Sequence, residues 1–195
     1  SFGNIFLSGI GLPPAFTYLK NLMLWCAKAG RNRILVTCDA PTGNVYSLDN
    51  QSSGFALSMA GTVRAAGFEP VINDIYAWDS VGVIPLSDMN QYAAIVVIGS
   101  NSDRVPRFKS ATIANFGEYV RTGGGLILIT DHDVFQASVN QLAALFNVEF
   151  YASVDRAPIS IADTITKHGD HEAWEGLLCK MLPAGGSEGA IRLKQ

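Results

Sequence analysis

The sequence predicts an α/β fold, a single domain built on a mostly parallel, doubly wound sheet with helices covering it. Two observations carry this. Short, nearly all-apolar runs, RILVTC at 33–38, YAAIVVIG at 92–99 and LILIT at 126–130, lie between helix-patterned segments; strands this apolar are buried on both faces, as parallel sheets require. Strand and helix patterns also alternate at spacings of about 25 to 35 residues, which is the spacing of βαβ units.

The first helix is expected from about Pro14 to Ala29. Leu19, Leu22, Met23 and Cys26 recur at helical spacing with Phe16 and Trp25 beside them, and Gly30 closes the element. Its apolar residues cover more than one narrow stripe, so the helix is deeply buried or shared with a partner, a possible basis for a homo-oligomer. Arg33 to Cys38 is the first strand. A polar loop from Asp39 to Ser53 precedes a helix from about Gly54 to Ala66, ended by Gly67, and FEPVINDI (Phe68 to Ile75) reads as the second strand. After a long connection, Tyr76 to Gln91, the run Tyr92 to Gly99 is the central strand. Lys109 to Arg121 is helical, and Gly123-Gly124-Gly125 makes a helix-to-strand turn needing positive φ before Leu126 to Thr130. A helix over Phe135 to Phe146 and an edge strand at Val148 to Tyr151 follow. Ile159 to Thr166 and Ala190 to Leu193 could add strands as a hairpin or edge addition. No composition shift separates them, so 1–195 reads as one domain, and the start at Ser-Phe-Gly-Asn suggests a piece of a larger protein.

Composition excludes several classes. Of 195 residues, 48% are apolar and 16% charged, enough apolar surface to fold and thus not bulk disorder. Fourteen basic residues stand against 17 acidic, net charge −3, with no basic block, so neither nucleic acid nor an anionic membrane surface is an expected partner. No apolar run reaches the roughly 18 residues of a membrane helix. Cys26, Cys38 and Cys179 sit beside apolar residues without a C-x-x-C and read as small buried thiols.

In open α/β sheets ligands bind beyond the carboxyl ends of the strands. That rule selects Cys38-Asp39-Ala40, Asp74, Gly99-Ser100-Asn101-Ser102-Asp103 and Asp131-His132-Asp133, an acidic, hydroxyl-rich rim. Asp39, Asn101, Asp103 and Asp133 are the expected ligand-binding residues. Asp131 and His132 could supply a general base or, with Asp133 and Asp39, hold a divalent ion; equally, an Asp after a strand often caps the next helix. Ser100 follows a strand and is the third candidate catalytic residue beside Asp131 and His132, though it lacks the G-x-S-x-G elbow, its string being VIGSNSD. His168-Gly-Asp-His171 reads as a turn rather than a zinc pair, and no metal site is assigned. No cofactor is expected: G-x-G-x-x-G and the P-loop are missing, and the T-G-N of Pro41 to Ser47 does not run straight into a helix, as a flavin phosphate loop must.

The strings FGEYVRTGGGLILITDHDVF, VNQLAALFNVEF and KHGDHEAWEGL, with FTYLKNLMLWCAKAGRNRILV near the start, resemble the class I glutamine amidotransferase-like superfamily, in particular its non-amidotransferase branches. The likeness spans roughly residues 15 to 180 and implies a flavodoxin-like three-layer αβα sandwich. It also favours a secreted or cell-envelope setting over the cytoplasm. Members that hydrolyse glutamine place Cys in a G-x-C-x-G elbow and carry a late H-x-E pair. Here the elbow position holds Ser100 or the Asp131-His132 string, and His171-Glu172 are adjacent; without a thiolate no acyl-enzyme route exists. The resemblance therefore implies a non-catalytic accessory domain recognising a small polar ligand such as a carbohydrate, or a protein partner. The rival is a hydrolase, metal-assisted, using Asp131, His132 and Asp133.

Overall fold

The structure, a computed structural model, describes residues 13–39, 48, 54–72, 83–99, 101, 103–130, 133–152 and 189–193. Helix α1 (Pro13–Cys26) leads to strand β1 (Arg33–Cys38), then α2 (Gly54–Ala65), β2 (Glu69–Ile72), the single turn α3 (Leu86–Met89) and β3 (Ala94–Ile98). Helix α4 (Ser110–Arg121) and β4 (Gly125–Ile129) complete the main sheet. A 3-10 turn (Asp133–Phe135), α5 (Ala137–Ala143), a second 3-10 turn (Ala144–Phe146), β5 (Val148–Ala152) and β6 (Gly189–Leu193) follow.

Strands β1 to β4 are all parallel and lie in the order β2-β1-β3-β4, the order of the flavodoxin-like layout. Because side chains alternate across a strand, each register row belongs to one face. Val71, Leu35, Ile95 and Leu126 form one row, and Ile72, Val36, Val96 and Ile127 the next. The second row packs beneath α1 and α2 with Leu19, Met23, Met59 and Val63. The first packs beneath α3, α4 and α5 with Met89, Phe116, Tyr119 and Leu142. The result is a three-layer αβα sandwich with a core on each side of the sheet, each fully buried aliphatic side chain contributing about 1.5–3 kcal/mol. Leu48, inside the segment read as a polar loop, is fully buried in the α1/α2 core.

The glycine run at 123–125 has three different reasons. Gly123 takes φ +88°; its N–H donates to the Val120 carbonyl and that of Gly124 to the Tyr119 carbonyl, a Schellman closure of α4. Positive φ accounts for Gly123 alone. A Cβ on Gly124 would strike the Tyr119 ring, and one on Gly125 the Cys26 carbonyl oxygen at the end of α1.

The segment expected as one helix, Phe135 to Phe146, is instead a seven-residue α-helix between two 3-10 turns. The Phe135 carbonyl accepts from the Thr130 hydroxyl at 2.9 Å, which ties that turn to the end of β4. Asn147 at φ +56° stops the element. The expected edge strand at 148–151 forms, but outside the main sheet: β5 pairs antiparallel with β6, Phe150 opposite Ile191. The Asn140 side chain explains the separation. Its Oδ1 accepts the Phe150 N–H and its Nδ2 donates to the Phe150 carbonyl, both at 2.8 Å, so a side-chain amide occupies the place of a neighbouring strand. The readings at Ile159 to Thr166 and His168 to Glu172 lie outside the described residues. Among those residues, no helix is long and apolar enough to cross a membrane.

Candidate functional site at the carboxyl ends of β1 and β3

Parallel register brings the ends of three strands level, Cys38 beside Ile98 and Ile98 beside Ile129. The ladder continues one step further: the Asp39 N–H donates to the Ile98 carbonyl and the Gly99 N–H to the Ile129 carbonyl. Chain direction reverses its progress across the sheet between β1 and β3, since β1 connects outward to β2 and β3 outward to β4. In open α/β sheets ligands bind outside the strand ends at a switch point of this kind.

Asp39 and Asn101 stand at this junction. Asp39 is 2% exposed and Asn101 5%, and the Asp39 Oδ1 accepts the backbone N–H of Asn101 at 2.9 Å across 62 residues of sequence. A buried carboxylate thus ties the loop after β3 to the end of β1. The Asn101 Oδ1 turns back to accept the Asp103 N–H at 3.3 Å. The Nδ2 on the other side of that amide is buried without a hydrogen bond of full geometry, though the Asn101 side chain still helps to lower the Asp103 pKa. One residue inside the rim, the Thr37 hydroxyl is likewise buried without a hydrogen bond, at 0% exposure. Buried donors without partners are rare in folded proteins because each costs about 1–3 kcal/mol.

The outer part of the loop is fixed by its own polar groups. The Asp103 Oδ1 accepts the Val105 N–H at 2.8 Å and its Oδ2 pairs with Arg107. Desolvation works to raise the Asp103 pKa, but the Val105 amide, the Arg107 charge and Asn101 outweigh it and hold the carboxyl below its ordinary value. Arg104 adopts φ +61° within this turn. Behind it, α5 grips the loop: the Arg107 N–H donates to the Ser138 hydroxyl at 3.2 Å, and the Gln141 side chain both accepts from and donates to the Phe108 backbone at 2.8 Å. Gly99 permits the tight approach of this layer, for a Cβ there would collide with the Phe135 carbonyl oxygen.

Of the residues singled out from sequence, Asp39 and Asn101 meet directly, and Asp103 sits two residues along the same loop. Its carboxylate is exposed, pairs with Arg107 and accepts from the loop backbone. The backbone of Asp133 opens the 3-10 turn after β4. Ser100, Asp131, His132 and Asp74 lie outside the described residues. Among the described residues no three His, Cys, Asp or Glu side chains converge to hold a metal ion. Cys38 is fully buried in the α1/α2 core, and burial pushes the Cys26 thiol up to about 11, so neither is a ready thiolate.

Thr37, Ser138, Asn140 and Gln141 were missed by sequence reasoning. Thr37 left a signal, as a hydroxyl inside a strand buried on both faces. The amides of α5 left none, because Asn and Gln on a helix ordinarily face water. Compared with family models, with curated proteins and with solved structures, the chain matches none of them.

Proposed function

We propose that this chain is a non-catalytic, ligand-binding domain of the glutamine amidotransferase-like kind, taking a small polar molecule at the β1/β3 rim. The observation that carries the reading is the junction of buried Asp39 with Asn101, whose Nδ2 is kept from water without a hydrogen bond of full geometry. A fold retains an unsatisfied donor at a cost in stability, and functional sites are among the places where that cost is carried. The sheet order and the strings around residues 116–135 and 139–150 support the family affinity. The buried Cys38 and the protonated Cys26 thiol support a role without thiol chemistry.

A thermal-shift panel of sugars, amino acids, nucleotides and simple carboxylates tests the reading. One class should raise the melting temperature of the wild-type chain, by an amount equivalent to about 2.7 kcal/mol at a hundredfold excess over Kd, and Asn101→Asp should abolish the rise. Turnover of glutamine or an ester, lost in Ser100→Ala or His132→Ala, would instead establish the hydrolase. Stoichiometric metal lost in Asp131→Asn would make that hydrolase metal-assisted.

A further inference from the structure

We infer that the outer edge of β4 is an interface between two copies of this chain, which pair their β4 strands antiparallel about a two-fold axis and join two four-stranded sheets into one.

Hydrogen-bond direction defines that edge. The Gly125 N–H donates to the Ala93 carbonyl, and the Ile129 carbonyl accepts from the Gly99 N–H. Backbone groups of successive strand residues point to opposite sides, so Gly125, Ile127 and Ile129 address β3 while Leu126 and Leu128 address the outside. β4 is the last strand of its sheet. Among the described residues no hydrogen bond reaches the two N–H and two C=O groups that point outward.

The opposite edge of the sheet is blunted. The Glu69 N–H donates to the Asn32 carbonyl, so by the same alternation Pro70 points outward from β2, and proline has no N–H to offer. Exposed Glu69 adds a charge beside it. Soluble proteins carry such devices because an unprotected edge templates another strand. β4 has none of them: Gly125 to Thr130 contains neither proline nor a charged residue.

Three features select a second copy as the strand received. The edge is self-complementary. With the axis at Ile127, Leu126 and the partner's Leu128 exchange hydrogen bonds, the reciprocal pair does the same, and every outward group of both strands is used. The axis stands normal to the sheet and keeps like faces together. Leu126 and Leu128 are only partly buried against the α3/α4/α5 core, whereas Ile127 and Ile129 on the other face are 8% and 7% exposed; the partner's leucines add cover on the face that lacks it. Charge also follows strand direction. Lys28, whose ammonium donates to the Thr122 carbonyl, makes the amino end of β4 basic, with the Arg121–Glu118 pair neutral beside it. Asp131 and Asp133 follow the carboxyl end in the sequence. Antiparallel pairing sets the basic end of one copy against the acidic end of the other, whereas parallel pairing would set like against like. A five-residue edge is short of the about 800 Å² per partner typical of stable complexes, so association should depend on concentration.

The test uses the whole chain, first without substitution. Sedimentation and residue-by-residue amide exchange are read in dilute and concentrated solution. The expected result is a passage from monomer to dimer on concentration. The Leu126 and Leu128 amides should exchange at least tenfold more slowly in the dimer, while the Ile127 amide, which addresses β3, is slow in both. Leu128→Pro removes an outward donor that no bond inside the sheet uses, and should weaken association at least tenfold with an unchanged circular dichroism spectrum. A chain that stays monomeric overturns the inference, whether slow Leu126 and Leu128 amides show the edge covered by the chain itself or fast ones show it open. A dimer whose Leu126 and Leu128 amides stay fast has its interface elsewhere and overturns it too, as does a folded Leu128→Pro chain that dimerises like wild type. The wild-type exchange decides the matter even where the proline variant fails to fold.

Discussion

The two ends of the parallel sheet treat their polar groups in opposite ways. At the amino end, the Tyr92 carbonyl accepts from the Arg31 guanidinium at 3.1 Å and the Tyr119 hydroxyl at 3.2 Å. The Ala93 carbonyl accepts from the Lys28 and Gly125 amides, and the Lys28 ammonium donates to the Thr122 carbonyl beyond α4. Arg33 lies 5.5 Å over the Tyr92 ring; its Nε lacks a hydrogen bond but faces Glu69 at 3.7 Å. Residues of the α1–β1 loop, of α4 and of the first position of β4 close this edge around two carbonyls. At the carboxyl end the Asn101 amide and Thr37 hydroxyl are buried without hydrogen bonds of full geometry. The amino end thus leaves one buried donor without a hydrogen bond and sets a carboxylate against it, while the carboxyl end leaves two. Local departures of that kind mark functional surfaces more often than structural ones.

The sharpest way to break this contrast is to crowd both ends with a methyl group. Gly125→Ala at the amino end would collide with the Cys26 carbonyl, and Gly99→Ala at the carboxyl end with the Phe135 carbonyl. Both obstacles are backbone and cannot swing aside, so each variant should lose about 3 kcal/mol in urea unfolding. Gly99→Ala should in addition disturb the Asn101 amide signal, whereas Gly125→Ala should leave it in place. Equal disturbance by both would mean that the two ends are not independent.

Removing one hydroxyl at each end should give effects of opposite sign. Tyr119→Phe deletes a made hydrogen bond and should cost about 1 kcal/mol. Thr37→Val keeps the side chain's shape while deleting an unpartnered buried hydroxyl, and should gain about 1 kcal/mol. A loss of stability in Thr37→Val would show that the hydroxyl works for the fold, and the contrast between the ends would disappear.

The smallest expected effect concerns pH. Because the folded Asp103 carboxyl titrates below its ordinary value, its contribution is complete above the unfolded carboxyl's pKa of about 3.9 and is lost as pH falls through the lower folded value. The group is well exposed to solvent, so screening limits the contribution to a few tenths of a kcal/mol. Melting curves of wild type and Asp103→Asn should differ by that amount at pH 6 and converge toward about pH 3. A gap that persists at the acid end would place the effect on something other than the charge of Asp103.

Much of the fold was legible because burial on two faces leaves a direct trace in composition. RILVTC and AIVVI can be little else than inner strands of a parallel sheet, and their spacing required helical crossovers between them. The rim was legible in position, since it follows from strand direction, and Asp39 and Asn101 were named on that basis. Their relation was not. A hydrogen bond across 62 residues depends on the register of β1 against β3, to which neither local string refers. The same limit hid Asn140 and Gln141, whose amides imitate strand backbone only because α5 is laid against Phe108 and Phe150.

The sequence by itself determined the class of fold, the parallel sheet and the edge where polar residues gather, because hydrophobic periodicity and chain direction are local and additive along the chain. Tertiary structure alone decided which donors are satisfied. Asp103 paired with Arg107 of its own loop, the Asn101 amide was buried without a hydrogen bond of full geometry, and the 148–152 strand was diverted from the main sheet. Hydrogen-bond satisfaction depends on angles and distances between segments remote in sequence, and those are set only when the layers pack.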